Sequence, residues 1–467
     1  MEQIFVSSLP PDRFRDLLGA RYREIEEAID RAQQVFAGRA VWHINSTARG
    51  GGVVELLQSL LAYARGAGVD TRWAVIQGNP EFFRITKRIH NHLHGWPGDG
   101  GDLGPAERRA YESTLAENAA ELASIVRPRD VVFLHDPQTA GLVGPTNATG
   151  AAVVWRCHVG LDLPNDLARR AWDFLRPYVE DADAYVFSRR EFVWEGLPTE
   201  RTWVVAPSID AFSPKNQDLP RAAVDSILAT VGLAEGDTHS PSFVREDGTP
   251  GRVDHAAELF QDRPLSLGTR VLTQVSRWDR LKDPVGVLRG FAEHVADPDV
   301  HLVLAGPAVE AVSDDPEGAE VLVEVQRERE ALSARVRERV HLACLPMVDV
   351  EENAAIVNAV QRRSHVVAQK SRAEGFGLTV AEAMWKARPV IATRRGGIQD
   401  QIVDGESGIL IDDPDDLDAF GRACDALLGD PARAERIGGA ARERVRERFL
   451  GTRSLLDYFE RLRDMLA

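Results

Sequence analysis

The stretch AVWHINSTARGGGVVELLQSLLAYARGAGVDTRWAVI, residues 40–76, decides the fold. Its first six residues, Ala40 to Asn45, are mostly apolar and β-favouring, and they read as a short buried strand. The triplet Gly50-Gly51-Gly52 then forms a turn, residues 53–65 have apolar positions at helical spacing, and residues 73–76 supply a second strand. Strand, glycine turn, helix, strand is the βαβ unit of a doubly wound sheet, in which the connection must cross over and the strands run parallel.

Working outward, further buried-strand candidates occur at residues 131–134, 152–155, 184–187 and 202–205, alternating with helical stretches. Residues 11–36 read as one solvated amphipathic helix ahead of the sheet. The run Ala206-Pro207-Ser208-Ile209-Asp210 marks the end of the first series. A second series has strands at 271–275, 300–304, 340–342, 365–368 and 389–392, followed by charged amphipathic helices from 414 to 467. Between the series, residues 236–264 are polar and rich in Gly, Pro and Asp, and they read as a mobile insertion, with 222–231 open to a helix. The expectation is α/β, with two Rossmann-like doubly wound domains facing across a cleft. The first would cover 1–208 and the second 209–446, with an insertion near 220–265. Residues 447–467 would form a C-terminal helix that packs back on the first domain.

A chain of 467 residues is too long for one ordinary core, which agrees with two domains. Its composition, 44% hydrophobic and 27% charged, is that of a soluble globular protein without an apolar run long enough to span a bilayer. A net charge of −16 argues against nucleic acid and anionic membrane as main partners. An anionic ligand must then be held by a local arrangement of cations and helix N-termini. The N-terminus does not read as a signal peptide, and three dispersed cysteines suggest a reducing cytoplasm rather than a disulfide framework or a zinc site.

Two segments offer such an anion site. Residues 372–384, RAEGFGLTVAEAM, follow a strand and open a helix whose first free N–H groups would face a phosphate. Glu374 precedes the turn and suits sugar hydroxyls, while Glu382 lies inside the helix and suits the vicinal hydroxyls of a ribose. As a pattern alone, this also fits a capped surface helix. A hydrolase pair is disfavoured, because eight helical residues span about 12 Å, beyond the roughly 5–9.5 Å between carboxyls that flank one glycosidic bond. The second segment, SRWDRLKDP at 276–284, places Arg277 and Lys282 after a strand, where they could neutralise a diphosphate. His158 follows a strand and could face a ligand, although a structural histidine is commoner. His90, His92 and His94 lack the accompanying ligands of a metal site.

The E-G-F-G-L-T-V-A-E segment, with seven residues between Glu374 and Glu382, resembles the hallmark of retaining GT-B glycosyltransferases of family 4. Residues 276–282 resemble that family's donor-phosphate loop, with Asp283 departing from the glycine common after the lysine. Gly396-Gly397-Ile398 and Val403-Asp404-Gly405 fit its C-terminal pattern. In the first half, WHINSTARGGGVVE (42–55), PEFFRITKRIHNHLHG (80–95), LHDPQTAGL (134–142), WRCH (155–158) and PSID (207–210) resemble trehalose glycosyltransferring synthases. Retaining trehalose phosphorylases share part of this pattern. The resemblance implies transfer of glucose from ADP- or UDP-glucose to free glucose, giving trehalose. It gives the diphosphate to Arg277 and Lys282, the donor glucose to Glu374, and phosphate or sugar contacts to the backbone of Gly375, Phe376, Gly377 and Leu378. The ribose goes to Glu382, Gly51 and Gly52 approach the phosphates, and His158 meets the transferred sugar. It implies no tightly bound cofactor, with Mg2+ assisting at no dedicated site, and leaves homodimerisation open. The alternatives are a trehalose phosphorylase or a non-catalytic sugar-nucleotide-binding subunit.

Overall fold

The structure is a computed structural model that describes residues 1–48, 51–309 and 317–467. It divides into two compact units, one of residues 1–208 with 451–467, the other of residues 209–450. Among the described residues, no helix is long and apolar enough to cross a membrane.

The first unit is built on a seven-stranded sheet of β1 (Glu2–Ile4), β2 (Ala40–Asn45), β3 (Asp70–Val75), β4 (Val131–His135), β5 (Ala152–Cys157), β6 (Ala184–Phe187) and β7 (Thr202–Val204). The spatial order is β1-β3-β2-β4-β5-β6-β7, and all pairings are parallel except β1 with β3. Parallel strands covered on both faces need apolar residues on both, and β2 and β4 are buried at every position. On one face Trp42, Ile44, Leu134, Trp155 and Cys157 join the main core with Phe82, Tyr111 and Trp194. The C-terminal helix Gly451–Leu466 packs on the other, where Tyr458 meets the Phe133 ring edge-on at 5.4 Å.

The second unit repeats the plan with β10 (Glu258–Phe260), β11 (Arg270–Val275), β12 (Val300–Pro307), β13 (Val340–Leu345), β14 (Val366–Gln369), β15 (Val390–Thr393) and β16 (Ile409–Ile411). Their order is β10-β13-β12-β11-β14-β15-β16, parallel but for β10 against β13. Apart from the antiparallel edge strands β1 and β10, each sheet starts in the middle, at β2 or β11, and winds outward both ways. The strand order therefore reverses between β2 and β4 in the first and between β11 and β14 in the second. Ligands of open α/β sheets bind beyond the carboxyl ends of the strands at such a reversal.

Two expectations need correction. Residues 11–36 are not one helix: short helical turns over 11–21 precede the helix Tyr22–Val35, and Gly19 at φ +56° breaks the run. Nor is 236–264 a loose insertion. It holds the hairpin of β8 (Ser242–Val244) with β9 (Pro250–Arg252), and then β10 on the sheet edge. Its polar residues are used rather than solvated. Arg245 bonds Asp349 at 2.6 Å and Glu351 at 2.7 Å, and Glu352 accepts from the amides of Asp254 and His255. The helix expected over 222–231 spans Arg221–Thr230.

Candidate active site

In the second unit, the loops after β11 and β14 flank the strand reversal, and they carry the predicted cations and the first glutamate. Lys282 and Glu374 are in contact, Nζ to Oε2 at 2.6 Å, although 92 residues separate them. The lysine is held from behind, since Gln274 donates to its carbonyl at 2.7 Å. The backbone N–H of Arg372 donates to Leu281 O at 2.7 Å and stitches the two loops together. Ser371 Oγ lies 3.3 Å from the same Glu374 oxygen. Arg277 stands at the loop's outer edge, 41% exposed, with Nη2 2.9 Å from Asp279 Oδ2. Asp279 in turn caps the loop by accepting from Leu281 N at 2.8 Å.

Asp283, the residue that departs from the glycine expected after the lysine, adopts the left-handed conformation that glycine favours, φ +51° and ψ +49°. The side chain is not idle there. It accepts from Gly286 N at the start of the helix Pro284–His294, and it is ion-paired to Lys370, which also donates to Pro414 O at 2.6 Å. Lys370 is 1% exposed. Gly286 is required for this arrangement, because a Cβ there would lie 2.1 Å from Asp283 Oδ2.

The turn 374–377 is shaped from both sides. Gly377, at φ +83°, caps the helix Leu378–Trp385; Val380 N donates to Gly377 O at 3.0 Å, and the N–H groups of Leu378 and Thr379 are the ones the first turn offers to a ligand. Gly396 approaches so closely that a Cβ would fall 1.8 Å from Glu374 O. Gly397 N donates to Gly375 O at 2.8 Å, and Gln401 Nε2 donates to Phe376 O at 2.5 Å. The Phe376 ring is buried against Phe449, which leaves its backbone as the part available to a ligand. Leu378 begins the helix.

Glu382 lies one turn on and is 2% exposed. Lys215, which no sequence motif singled out, faces its Oε1 at 3.5 Å, and the buried Lys386 donates to its carbonyl at 3.1 Å and to Asn216 Oδ1 at 3.0 Å. Burial and neighbouring cations push Lys386 well below the ordinary lysine range, against the pull of Glu382. The segment 210–218 is thereby bound to the helix that carries Glu382.

In the first unit, Gly51 caps the helix Gly52–Gly66 at φ +85°, and both glycines are exposed. Arg49 and Gly50 lie outside the described residues. His158 departs from expectation. Its ring does not stand open to a ligand: Nε2 lies 3.0 Å from His135 Nδ1 and Nδ1 lies 3.3 Å from Arg156 Nε. His135 Nε2 continues to His43 Nδ1 at 3.0 Å. Burial holds His43 down to about 3 and the other two well below the ordinary range, with Arg156 opposing a second charge.

What the sequence reading missed beside His158 is Asp136. It lies at the end of β4 with φ +63°, and its Oδ1 accepts from His158 N at 2.7 Å. The residue still reaches solvent, yet the crowding of protein around the carboxyl raises it to about 7. A carboxyl with positive φ and a raised proton affinity at the strand reversal is a candidate functional group. Its only sequence signal was the H-D-P run at a strand end. His90, His92 and His94 lie on or at the end of the helix Pro80–Leu93. Among the described residues, no group of three or more His, Cys, Asp or Glu could hold a metal ion.

The histidine line gives a pH prediction. Because the folded pKa values lie below the unfolded value near 6.5, the unfolded chain takes up protons that the folded unit refuses as pH falls. Each ring then lowers stability by up to about 1.4 kcal/mol per pH unit below about pH 6.5. Asp136 works in the opposite sense, since its folded pKa is raised, and it offsets roughly one ring. The urea midpoint is expected to drop between pH 7.5 and 5.5, and a midpoint that rises would contradict this account.

The family profile "Trehalose synthase, N-terminal domain" matches residues 43–194, and "Glycosyl transferases group 1" matches 256–444. Trehalose synthase of Rubrobacter xylanophilus is 36% identical over 93% of this chain and 92% of its own. The chain belongs to the trehalose synthase family. It is a trehalose-related glycosyltransferase with the GT-B fold of two Rossmann-like units. Trehalose phosphorylase of Pleurotus pulmonarius, at 25% identity over 86% of this chain and 54% of its own, is a more distant relative of this trehalose synthase family member. A UDP-forming α,α-trehalose-phosphate synthase from Burkholderia xenovorans, solved with glucose-6-phosphate, superposes with a TM-score of 0.67 at 14% identity. That match covers 92% of this chain and all of the other, and it shows the fold alone.

Proposed function

We propose that the enzyme moves glucose from a nucleoside diphosphate glucose to the anomeric hydroxyl of free glucose, with retention, to form α,α-trehalose. The observation that carries this reading is the Lys282–Glu374 contact at the strand reversal of the second unit, with Arg277 on the same loop and the N-terminus of a helix beyond Glu374. These are the groups that a leaving diphosphate and a sugar ring require. The bond from C1 to the phosphate oxygen breaks while a bond from C1 to the acceptor oxygen forms on the same face. The acceptor proton passes to the departing phosphate oxygen, so no protein nucleophile is needed. Lys282, Arg277 and the helix N–H groups stabilise the charge that develops on the diphosphate. Glu374 orients the donor sugar, and Glu382 takes the ribose beside Lys215. In the first unit, Gly51 and Gly52 offer exposed backbone suited to a phosphate, and Mg2+ carried by the diphosphate would add charge neutralisation without a protein site of its own. His158 acts from beneath, through the Asp136 that its amide holds, and Asp136 faces the acceptor.

The distant phosphorylase relative supports a second reading, in which inorganic phosphate replaces the nucleotide. Incubation with trehalose and UDP, ADP or phosphate separates the two. Nucleoside diphosphate glucose is the expected product, and glucose 1-phosphate formed with phosphate alone would sink the first reading.

A further inference from the structure

Four buried side chains form one line of hydrogen bonds across β2, β4 and β5, and only one end of that line has fixed hydrogens. His43 pairs in register with Phe133, and His135 pairs with Arg156. With alternate residues on one face, His43, His135, Arg156 and His158 therefore share the face covered by the C-terminal helix. The Arg156 guanidinium has donors and no acceptor. Burial pulls it down only to about 9, so it remains a cation at neutral pH. Its Nε lies 3.3 Å from His158 Nδ1, which must present a lone pair. A neutral imidazole that accepts at Nδ1 carries its hydrogen on Nε2. His158 Nε2 then donates to His135 Nδ1 over 3.0 Å, and His135 Nε2 donates to His43 Nδ1 over 3.0 Å. Reversal would set an N–H of His158 against the guanidinium. Protonation of His158 or His135 would set hydrogens against each other. The line runs one way, with three neutral rings.

This direction matters because one member of the line, His158, also holds Asp136. The ring of His158 is pinned by Arg156 on one side and His135 on the other, and the amide of the same residue donates to the Asp136 carboxylate at 2.7 Å. Arg156 is itself clamped, with its guanidinium 5.3 Å from the Tyr458 ring of the C-terminal helix and Nη2 3.4 Å from Val205 O. We infer that Arg156 is a positioning residue: it imposes one tautomer on His158, His135 and His43 and thereby fixes Asp136 against the acceptor sugar. The sugar's part in this rests on the proposed function, whereas the tautomer order does not.

Long-range proton–nitrogen correlation on 15N-histidine-labelled protein reads the order directly. In the unsubstituted protein at pH 7, all three rings are expected as neutral Nε2–H tautomers, assigned by single His→Asn variants. An Nδ1–H tautomer or an imidazolium at any of the three overturns the inference, whatever the activity. Arg156→Met is expected to mix the tautomers and raise KM for glucose about tenfold, the cost of about one misplaced hydrogen bond, with KM for the nucleotide sugar unchanged. Arg156→Lys keeps a donor-only cation and is expected to restore both readouts. A folded Arg156→Met protein with unchanged tautomers, or with unchanged KM for glucose, overturns the positioning role. Failure of the unsubstituted enzyme to use glucose would instead count against the proposed function, with the spectra still deciding the tautomer order.

Discussion

Replacing Lys282 by methionine is expected to lower kcat by about two to three orders of magnitude while the protein stays folded. Removal of one preorganised donor that meets charge only as it develops costs about 3–4 kcal/mol of barrier. Lys282 fits that description: its ammonium is held 2.6 Å from Glu374 and is 18% exposed, and its backbone is locked by Gln274. Methionine keeps the stem that packs in the loop and removes only the charge. The loss should fall on kcat more than on KM for the donor, because Arg277 and the helix N-terminus continue to bind the ground-state diphosphate. Glu374→Ala should be equally inactive for another reason, the loss of sugar orientation. Steady-state kinetics with a thermal melt on each variant checks both, and a folded Lys282→Met enzyme within about threefold of normal kcat would remove the lysine from the transition state.

The second large effect is on stability. Lys370→Met is expected to destabilise the second unit by about 3 kcal/mol, the low end of the 3–5 kcal/mol for removing one partner of a buried ion pair. The loss is large because Asp283 and Pro414 O are left without the ammonium, and both members of the pair are nearly enclosed. It sits at the low end because Arg372 Nε, 3.4 Å from Asp283 Oδ1, remains as a partial counter-charge. The double variant Asp283→Gly with Lys370→Met should recover most of that loss. It removes the stranded carboxylate and supplies the residue that φ +51° favours, at the expense of a helix cap of about 1 kcal/mol. Urea denaturation of the single and double variants tests this, and a double variant no more stable than Lys370→Met would show that the pair does not govern the loop.

The parallel strands were legible because burial on both faces leaves an apolar run, as in Ala40 to Asn45 and Val131 to Leu134. The edges were not. β1, β10 and β16 are three residues long, and β1 and β10 pair antiparallel with distant strands, so neither length nor periodicity marks them. The same contrast holds in the site. Arg277, Lys282 and Glu374 could be singled out as candidates because each lies in a loop that follows a strand, where a Rossmann-like sheet presents its ligand loops. Lys370 and Lys215 could not, because their partners Asp283 and Glu382 are 87 and 167 positions away in sequence. His158 was read as a contact for the transferred sugar, and the structure sets its ring among buried side chains. A histidine at a strand end looks open to a ligand, and nothing in the sequence discloses that Arg156 and His135 occupy both its nitrogens.

Asp283 makes a finer point about the resemblance. A departure from glycine in a phosphate loop suggests altered geometry, yet the backbone keeps the left-handed turn and a buried lysine holds the carboxylate. The loop's shape is retained through a charge pair rather than through the freedom of glycine.

The central claim, transfer of glucose from a nucleoside diphosphate glucose to free glucose, is tested most directly by product analysis. The enzyme is supplied with UDP- or ADP-glucose and 13C1-labelled glucose, and the disaccharide is examined by carbon and proton NMR. The expected product is α,α-trehalose labelled in one ring only, with both anomeric protons showing the small coupling of α linkages, and with stoichiometric release of nucleoside diphosphate. A β-linked or reducing disaccharide, or no transfer from either nucleotide sugar, would contradict it.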